Sequence, residues 1–327
     1  MVVEMVCQKI RTECVMTRKR RIYDGFTFYN EFELLEWRLK MLYDVVDCFV
    51  VVEANRTFQN KQKPFSFEEQ KERFAKYADK IRYIKIDEEI ECKDNWSIEI
   101  YQRNCIEKGL VDCQPNDIVM MGDIDEFPDP RVLEAIRKNS VPIHVFFPFG
   151  IVAERSGCRG LSRNGRCFIR SLPLWFKRGR ILDFLEKSPV VSEQRMFEFF
   201  VNYECHSHWC GTILFLYKNI MELQKLRRRR NQLPMIQNGW HFSSMGGIKA
   251  IQNKFNATSD GMGNPIFRLT DEAQKSFIAK ALDSGCVWWT NEKLIIRDDV
   301  SLDIPFIDWL SAKYAFMVRN KKEFHNK

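Results

Sequence analysis

The sequence predicts an α/β protein in which helices flank a mostly parallel sheet. Short apolar runs rich in β-branched residues recur along the first part of the chain, and such runs are typical of strands buried on both faces. Segments with apolar residues at helical spacing separate these runs, and this alternation is typical of βαβ units. The 327 residues are 45% hydrophobic and 29% charged, which suits a globular enzyme and excludes bulk disorder.

The first unit of this alternation begins with a predicted strand over 22–28. Asn30 and Glu33 then have the spacing of a capping box, and apolar residues at helical spacing predict a helix over 31–46. The apolar run from Cys48 to Val52 predicts the second strand. The same alternation then predicts strands over 81–86, 117–121 and 143–149 and helices over 67–77, 97–108 and 130–137.

The alternation weakens after about residue 150, where Gly, Arg and Cys become frequent. The local patterns there predict short strands over 166–170 and 212–217 and helices over 219–230, 246–254, 271–284 and 305–320. Since no internal repeat or linker divides the chain, we expect a tail over 1–20 followed by one domain over 21–327.

The net charge is +7, and part of the surplus lies in the runs Arg18–Arg21 and Arg227–Arg230. A basic surplus suits an anionic partner such as nucleic acid, a membrane surface or a diphosphate-bearing substrate. The alternative interpretation is solvated surface, and neither run has the interleaved aromatic residues of a groove that binds single strands.

The chain has 11 cysteines without the regular spacing of a disulfide framework, which favours reduced thiols and a cytoplasmic location. Charged residues interrupt the N-terminal apolar stretch, so no signal peptide is readable. No apolar run approaches the roughly 18 to 20 residues of a spanning helix. The sequence therefore predicts no transmembrane segment.

An acidic motif follows the predicted strand over 117–121 and contains Asp123, Asp125 and Glu126. Residues two apart on an extended chain point to the same side, so the two aspartates aim together from the carboxyl end of a strand. Ligands bind at that edge of open α/β sheets, and two carboxylates suit Mn²⁺ or Mg²⁺. The alternative interpretation is helix capping, because Pro128 and Pro130 follow closely.

Three further patterns have both a functional and a structural interpretation. His241, between aromatic residues in Gly239-Trp240-His241-Phe242, is either a metal ligand or a satisfied histidine of the core. Glu53, which ends the second predicted strand, either accepts hydrogen bonds from a nucleoside or is an exposed strand-end acid. The segment 205–210, Cys-His-Ser-His-Trp-Cys, lacks the two separated pairs of a structural zinc site, so strand packing is favoured over zinc.

Taken together, these segments resemble glycosyltransferase family 17. The matching pieces occur in the family's order over about residues 22–320, and the stretch 154–235 diverges from it. They are Tyr23-Asp24-Gly25-Phe26 with Asn30-Glu31, Asp44 to Thr57, Lys63-Pro64-Phe65, Asp117 to Pro128, and Gly239 to Ser243.

The resemblance implies a GT-A-like fold, a Rossmann-type sheet with a helical C-terminal region, a UDP-sugar donor such as UDP-GlcNAc, and Mn²⁺ or Mg²⁺. It also implies inversion at the anomeric carbon and a glycan or glycoconjugate acceptor, with no nucleic acid as partner. About 21–130 would bind the nucleotide-sugar, and about 131–327 would bind the acceptor and carry the C-terminal helices. Carried over, the metal ligands are Asp123, Asp125 and His241, and the donor-binding residues are Glu53, Asn55, Arg103 and Asp123.

The mechanism that the resemblance implies needs a carboxylate as general base, and the spacing does not choose among Glu193, Glu198, Glu204 and Asp260. Two other functions use the same features of the sequence. A metal-dependent phosphotransferase or nucleotide hydrolase would use the same aspartates, and a basic nucleic-acid-binding protein would use the run Arg227–Arg230. An inactive relative that binds carbohydrate is a third possibility.

Overall fold

The computed structural model describes residues 19–94, 96–139, 143–146, 176–258, 266, 269–288, 290–297 and 303–319. Strands and helices alternate as predicted up to about residue 139. The strands are β1 (Ile22–Thr27), β2 (Cys48–Ala54), β3 (Ile81–Ile86), β4 (Ile118–Asp123), β5 (Glu126–Phe127), β6 (Ile143–Phe146), β7 (Phe176–Gly179), β8 (Val190–Glu198), β9 (Tyr203–Leu216), β10 (Met235–Ser243) and β11 (Ile295–Ile296).

Helices flank these strands, and two of the predicted ones continue as tighter 3-10 turns over Lys71–Lys80 and Cys105–Gly109. The α-helices are α1 (Phe32–Leu42), α2 (Ser66–Glu69), α3 (Ser97–Asn104), α4 (Pro130–Lys138), α5 (Ile181–Leu185), α6 (Leu223–Arg228), α7 (Gly247–Ala257), α8 (Asp271–Ser284) and α9 (Ile307–Lys313). Among the described residues, no helix combines the length and apolar character needed to cross a bilayer.

The described strands form one mixed sheet in the order β3-β2-β1-β4-β9-β8-β10-β6-β7. The first four strands of this order pair in parallel, as predicted. The long strand β9 then pairs antiparallel with β4 and with β8, and β10 returns parallel to β8. The α/β prediction is confirmed, and the antiparallel pairings of the second half were not foreseen.

Hydrophobic cores lie on both faces of the sheet, and β4 shows why. Its residues Ile118 and Met120 pack into one core, whereas Val119 and Met121 pack into the other. Because successive side chains of a strand point to opposite faces, a strand covered on both sides must be apolar throughout. The carboxyl end of β4 is thereby fixed in the centre of the molecule, where the acidic motif begins.

Several local predictions need correction. Helix α1 has Glu31 as its N-cap residue without a side-chain cap, so the capping box of Asn30 and Glu33 is wrong. The motif around His241 forms strand β10, and β8 was missed, because both strands are irregular and the sequence pattern there is not strictly alternating. The predicted strand over 166–170 and the tail over 1–18 lie outside the described residues.

Candidate active site

The acidic motif forms a tight turn at the carboxyl end of β4. The strand ends at Asp123, and the chain passes through Ile124 and Asp125 before β5 begins at Glu126. The buried guanidinium of Arg38, on α1, donates through Nη1 to the carbonyl oxygens of Asp123 (3.3 Å), Ile124 (3.2 Å) and Glu126 (2.6 Å). One side chain thus fixes the backbone that presents the acids.

Asp123 lies between two arginines. Its Oδ1 accepts from Arg103 Nη2 at 2.8 Å, and its Oδ2 accepts from Arg227 Nη2 at 2.6 Å. Burial alone would raise the pKa of Asp123, but the guanidinium groups of Arg227 and Arg103 outweigh it and hold that pKa well below its usual range. Asp123 is therefore ionised, and both of its oxygens are already engaged.

Glu126 is fully buried beneath this pair and is held by residues of the second half of the sheet. Arg227 donates to both of its oxygens, at 2.5 and 3.0 Å, and Trp209 Nε1 donates at 2.7 Å. Glu126 Oε2 also accepts the backbone N–H of Asp123 at 3.1 Å. The neighbouring Gly122 is needed here, since a Cβ would lie 2.7 Å from Thr212 Oγ1 and 2.8 Å from Glu126 Oε2.

Asp125 has a different set of partners. Lys254 Nζ, on α7, donates to Oδ2 at 3.0 Å, and His241 Nε2 lies 3.4 Å from Oδ1. Burial alone would raise the pKa of Asp125, but Lys254 and His241 hold it well below its usual range. The pKa of Lys254 is in turn raised, because Asp125 and Glu198 outweigh the opposing effect of its burial.

His241 reaches Asp125 because β10 pairs with β5, which places His241 opposite Glu126. The ring of His241 stacks on Trp209 with centroids 4.8 Å apart, and its buried Nδ1 has no hydrogen-bond partner. Gly239 makes the pairing possible, because it has φ +90° and a Cβ there would overlap the carbonyl oxygen of Phe127. The two sequence motifs therefore form one structural unit.

A cleft of about 1090 Å³ opens over this unit at the carboxyl ends of β1, β2 and β4. Asp123, Asp125, His241 and Arg103 all line it, so four of the predicted site residues come together as expected. Ligands bind at this edge of open α/β sheets.

Glu53 and Asn55 do not line the cleft. Glu53 is fully buried and accepts from Lys63 Nζ, from the backbone N–H groups of Ser66 (2.7 Å) and Phe67 (3.1 Å), and from the hydroxyl of Tyr83 (2.8 Å). These donors make Glu53 a clamp on the segment that follows β2. Direct contact between a nucleoside and Glu53 or Asn55 stays a prediction. This geometry does not support it.

Two of the four general-base candidates lie in ion pairs outside the cleft. Glu193 Oε1 is 3.5 Å from Nδ1 of the exposed His208. Glu204 accepts from Arg195 at 2.7 Å and from Arg297 at 2.6 Å, and these guanidinium groups outweigh its burial and lower its pKa.

The other two candidates for the general base are Glu198 and Asp260. Glu198 ends β8 and is fully buried behind the cleft wall. Its burial raises its pKa to about 7, against the opposing effects of the Ser244 hydroxyl and the Lys254 ammonium. Asp260 lies outside the described residues. The role of general base therefore stays a prediction for all four.

The segment 205–210 lies on β9 with alternating exposure. Cys205 and Cys210 are buried, whereas His206 and His208 are exposed. Within the described ranges, no three His, Cys, Asp or Glu side chains are grouped as a metal would need. The favoured interpretation, strand packing, agrees with this arrangement.

Several residues of the site were not singled out from the sequence. Arg38 and Lys254 occupy ordinary helix positions, and Trp209 was considered only as part of a strand. Arg227 belongs to a basic run whose alternative interpretation was solvated surface, and this is wrong for Arg227, which is 4% exposed. The signal in the sequence was its place four residues after Leu223, which puts it on the same helix face as that buried leucine.

Comparisons with known proteins relate the first part of the chain to glycosyltransferases. Residues 1–147, which include the acidic motif and exclude His241, match the sequence profile of glycosyltransferase family 17. The chain therefore carries the sequence of that family over these residues, and the resemblance seen in its motifs is confirmed.

The relatives that share this sequence are longer proteins. Over 117 residues the chain is 31% identical to the β-1,4-mannosyl-glycoprotein 4-β-N-acetylglucosaminyltransferase of Rattus norvegicus and 31% identical to that of Homo sapiens. Each alignment covers 33% of this chain and 22% of the relative. The matched region thus spans about a fifth of these relatives.

Among solved structures, the chain is similar to the mannosyltransferase PcManGT from Pyrobaculum calidifontis in complex with GDP-Man and Mn²⁺. The alignment has 13% sequence identity and a TM-score of 0.33, and it covers 92% of this chain and 70% of that chain. A TM-score of this size defines neither a shared fold nor a shared ligand.

Proposed function

We propose that the chain is a metal-dependent inverting glycosyltransferase with a GT-A-like fold. It would transfer N-acetylglucosamine from UDP-GlcNAc to a hydroxyl group of a glycan or glycoconjugate. The observation that carries this proposal is the position of the acidic motif, which lines a large cleft at the carboxyl ends of parallel strands. The family match supports the class of reaction, and the partial similarity to N-acetylglucosaminyltransferases supports the donor sugar.

The residues around Asp125 offer two ligands to a divalent ion, fewer than a dedicated protein site has, so the donor or water would have to supply the others. Asp125 Oδ1 and His241 Nε2 lie side by side, and Oδ1 is the oxygen that Lys254 does not engage. Asp123 offers no free oxygen, since two guanidinium groups engage both. One carboxylate and one imidazole suit Mn²⁺ better than Mg²⁺, which prefers oxygen ligands alone. A bound ion would supply Lewis-acid stabilisation of the leaving diphosphate.

In the proposed reaction, the acceptor hydroxyl attacks the anomeric carbon, the bond from that carbon to the diphosphate oxygen breaks, and UDP leaves. A carboxylate takes the hydroxyl proton. The protein's own contribution is a fixed array of charges in the cleft, with Arg38 holding the turn and Arg103 and Arg227 holding Asp123. Such preorganised charges stabilise a developing anion without reorganisation during the reaction.

The test is an assay of the full chain with UDP-GlcNAc, Mn²⁺ and a panel of N-glycan acceptors, in which UDP release and product mass are measured. We expect UDP release that requires both the acceptor and Mn²⁺. UDP-galactose and GDP-mannose serve as matched donors and should react more slowly. Equal UDP release without any acceptor would contradict transfer and favour a nucleotide hydrolase.

A further inference from the structure

The basic run Arg227–Arg230 does not form one surface. Helix α6 ends at Arg228, and the chain then turns tightly into a 3-10 segment over Arg230–Gln232. As a result Arg227 is buried in the acid network, and Arg228 and Arg230 line the cleft. Arg229 is exposed and does not line it.

The cleft carries more positive than negative charge. Seven basic and four acidic side chains line its described part. Four of the seven lining cations are paired with carboxylates of the protein: Arg103 and Arg227 with Asp123, Lys254 with Asp125, and Lys63 with Glu53. The surplus therefore lies with the cations that have no acidic partner.

Arg228 and Arg230 are two such cations. Among the described residues, neither guanidinium has a hydrogen bond or an ion pair within 4 Å. The guanidinium of Arg230 lies over the ring of Trp209, with Cζ 4.7 Å from the ring centroid, and this contact fixes its position. Burial and the nearby charge of Arg227 lower the pKa of Arg230 to about 10. Asp123 and Glu126 lie near enough to act on this charge, but neither forms an ion pair or a hydrogen bond with it. A half-buried guanidinium whose N–H groups are left unpaired favours an anionic ligand.

We propose that Arg230, assisted by Arg228, binds the diphosphate of the nucleotide-sugar donor. This inference rests on the proposed function, because the donor that it names is the donor of that reaction. Guanidinium groups present paired N–H donors that match phosphate oxygens. The position beside Asp123 places this charge at the same end of the cleft as the acidic motif, where the leaving diphosphate would lie.

The test uses calorimetric titration of the full chain, in EDTA, with UDP, uridine and inorganic pyrophosphate. The variants are Arg230→Gln and Arg228→Gln, and the matched control is Arg229→Gln, which removes the same charge outside the cleft. We expect Arg230→Gln to weaken UDP binding about tenfold or more, because a charged hydrogen bond is lost. Arg228→Gln should weaken it several-fold, and Arg229→Gln should change it less than about twofold. Uridine binding should be unchanged in all three, because uridine lacks the diphosphate.

Unchanged UDP affinity in Arg230→Gln would overturn the inference and leave the proposed function standing. An equal loss in Arg229→Gln would also overturn it, since that result indicates a general charge effect. An equal loss of uridine affinity would overturn it too, because Arg230 would then act through the structure of the cleft. If pyrophosphate binds and Arg230→Gln abolishes that binding, but UDP binds neither in EDTA nor with Mn²⁺, the assignment of the anion as the donor diphosphate and the proposed function both fail.

Discussion

The parallel and the antiparallel parts of the sheet contribute to the cleft in different ways. In the parallel part, β1 to β4, the cleft residues follow directly from strand ends, as Asp123 and Asp125 do. In the second part, β8 to β10 and the helices beside them, Arg227 contacts Asp123 and His241 contacts Asp125. Trp209 donates to Glu126, the third acid of the motif. The first part therefore supplies the negative charges and, through Arg38 and Arg103, some of the groups that hold them. The second part supplies the other groups that neutralise and position these charges.

The largest effect that tests this division concerns Arg227. Replacing Arg227 with Leu leaves the buried Glu126 without its ion pair and Asp123 with only one of its two arginines. We expect the free energy of unfolding to fall by about 3–5 kcal/mol, as is typical when one partner of a buried pair is removed. Urea denaturation measures this loss. The control Arg229→Leu, at an exposed position, should change stability by less than about 0.5 kcal/mol. A loss below about 1 kcal/mol for Arg227→Leu would contradict the claim that the second part of the sheet holds these acids in place.

The next effect concerns activity. Replacing Asp125 with Ala removes the carboxylate that faces His241 and Lys254. We expect Mn²⁺-dependent turnover of UDP-GlcNAc to fall at least about 100-fold, which corresponds to about 2.7 kcal/mol of transition-state stabilisation. UDP release measures it, and thermal unfolding of the variant checks that the chain still folds. The control Asp87→Ala, at an exposed position away from the cleft, should keep wild-type turnover. Undiminished activity of Asp125→Ala would contradict the proposal that Asp125 binds the metal ion.

A third prediction concerns the join between the two parts, where β10 pairs with β5. Gly239→Ala adds a Cβ in a left-handed conformation and against the Phe127 carbonyl, whereas Gly247→Ala adds one at φ +76° with nothing within 4 Å. The conformation alone costs about 1–2 kcal/mol in both variants. We therefore expect Gly239→Ala to be the less stable of the two in chemical denaturation. Equal stabilities would show that the close approach of β5 and β10 is not needed.

The smallest effect lies away from the cleft, where α1 meets the C-terminal segment. The buried Glu36 accepts from Lys313 (2.5 Å) and Tyr314 (2.6 Å). Burial alone would raise the pKa of Glu36, but the hydrogen bonds from Lys313 and Tyr314 outweigh it and lower that pKa. Because the folded-state pKa is lowered, this stabilisation is present above the ordinary glutamate pKa and is lost as the pH falls through the folded-state value.

Glu36→Gln should therefore lower the free energy of unfolding by about 1–2 kcal/mol at neutral pH. The difference from the wild type should shrink as the pH is lowered through the ordinary glutamate range and beyond. Denaturation at a series of pH values measures both. The exposed Glu89→Gln is the control and should change the free energy of unfolding at neutral pH by less than about 0.5 kcal/mol. A difference that is constant with pH would contradict the ion pair.

The comparison also explains what the sequence predicted and what it did not. Strands buried on both faces carry continuous apolar runs, so β2 and β4 and the acids that end β4 were predicted correctly. The irregular strands β8 and β10 lack such runs, and their places depend on pairing with distant residues. The partners of the acids, Arg38 and Arg227, are 85 and 104 positions away from Asp123, and no local pattern reports contacts at that separation.

The central claim, a nucleotide-sugar site that uses a divalent ion at Asp125, is tested most directly by calorimetry. UDP-GlcNAc is titrated into the wild type and into Asp125→Ala, each with Mn²⁺ and with EDTA. The account predicts wild-type binding that is at least about tenfold tighter with Mn²⁺ and no such difference in Asp125→Ala. Wild-type affinity that is the same with Mn²⁺ and with EDTA, or no binding of UDP-GlcNAc at all, would contradict it.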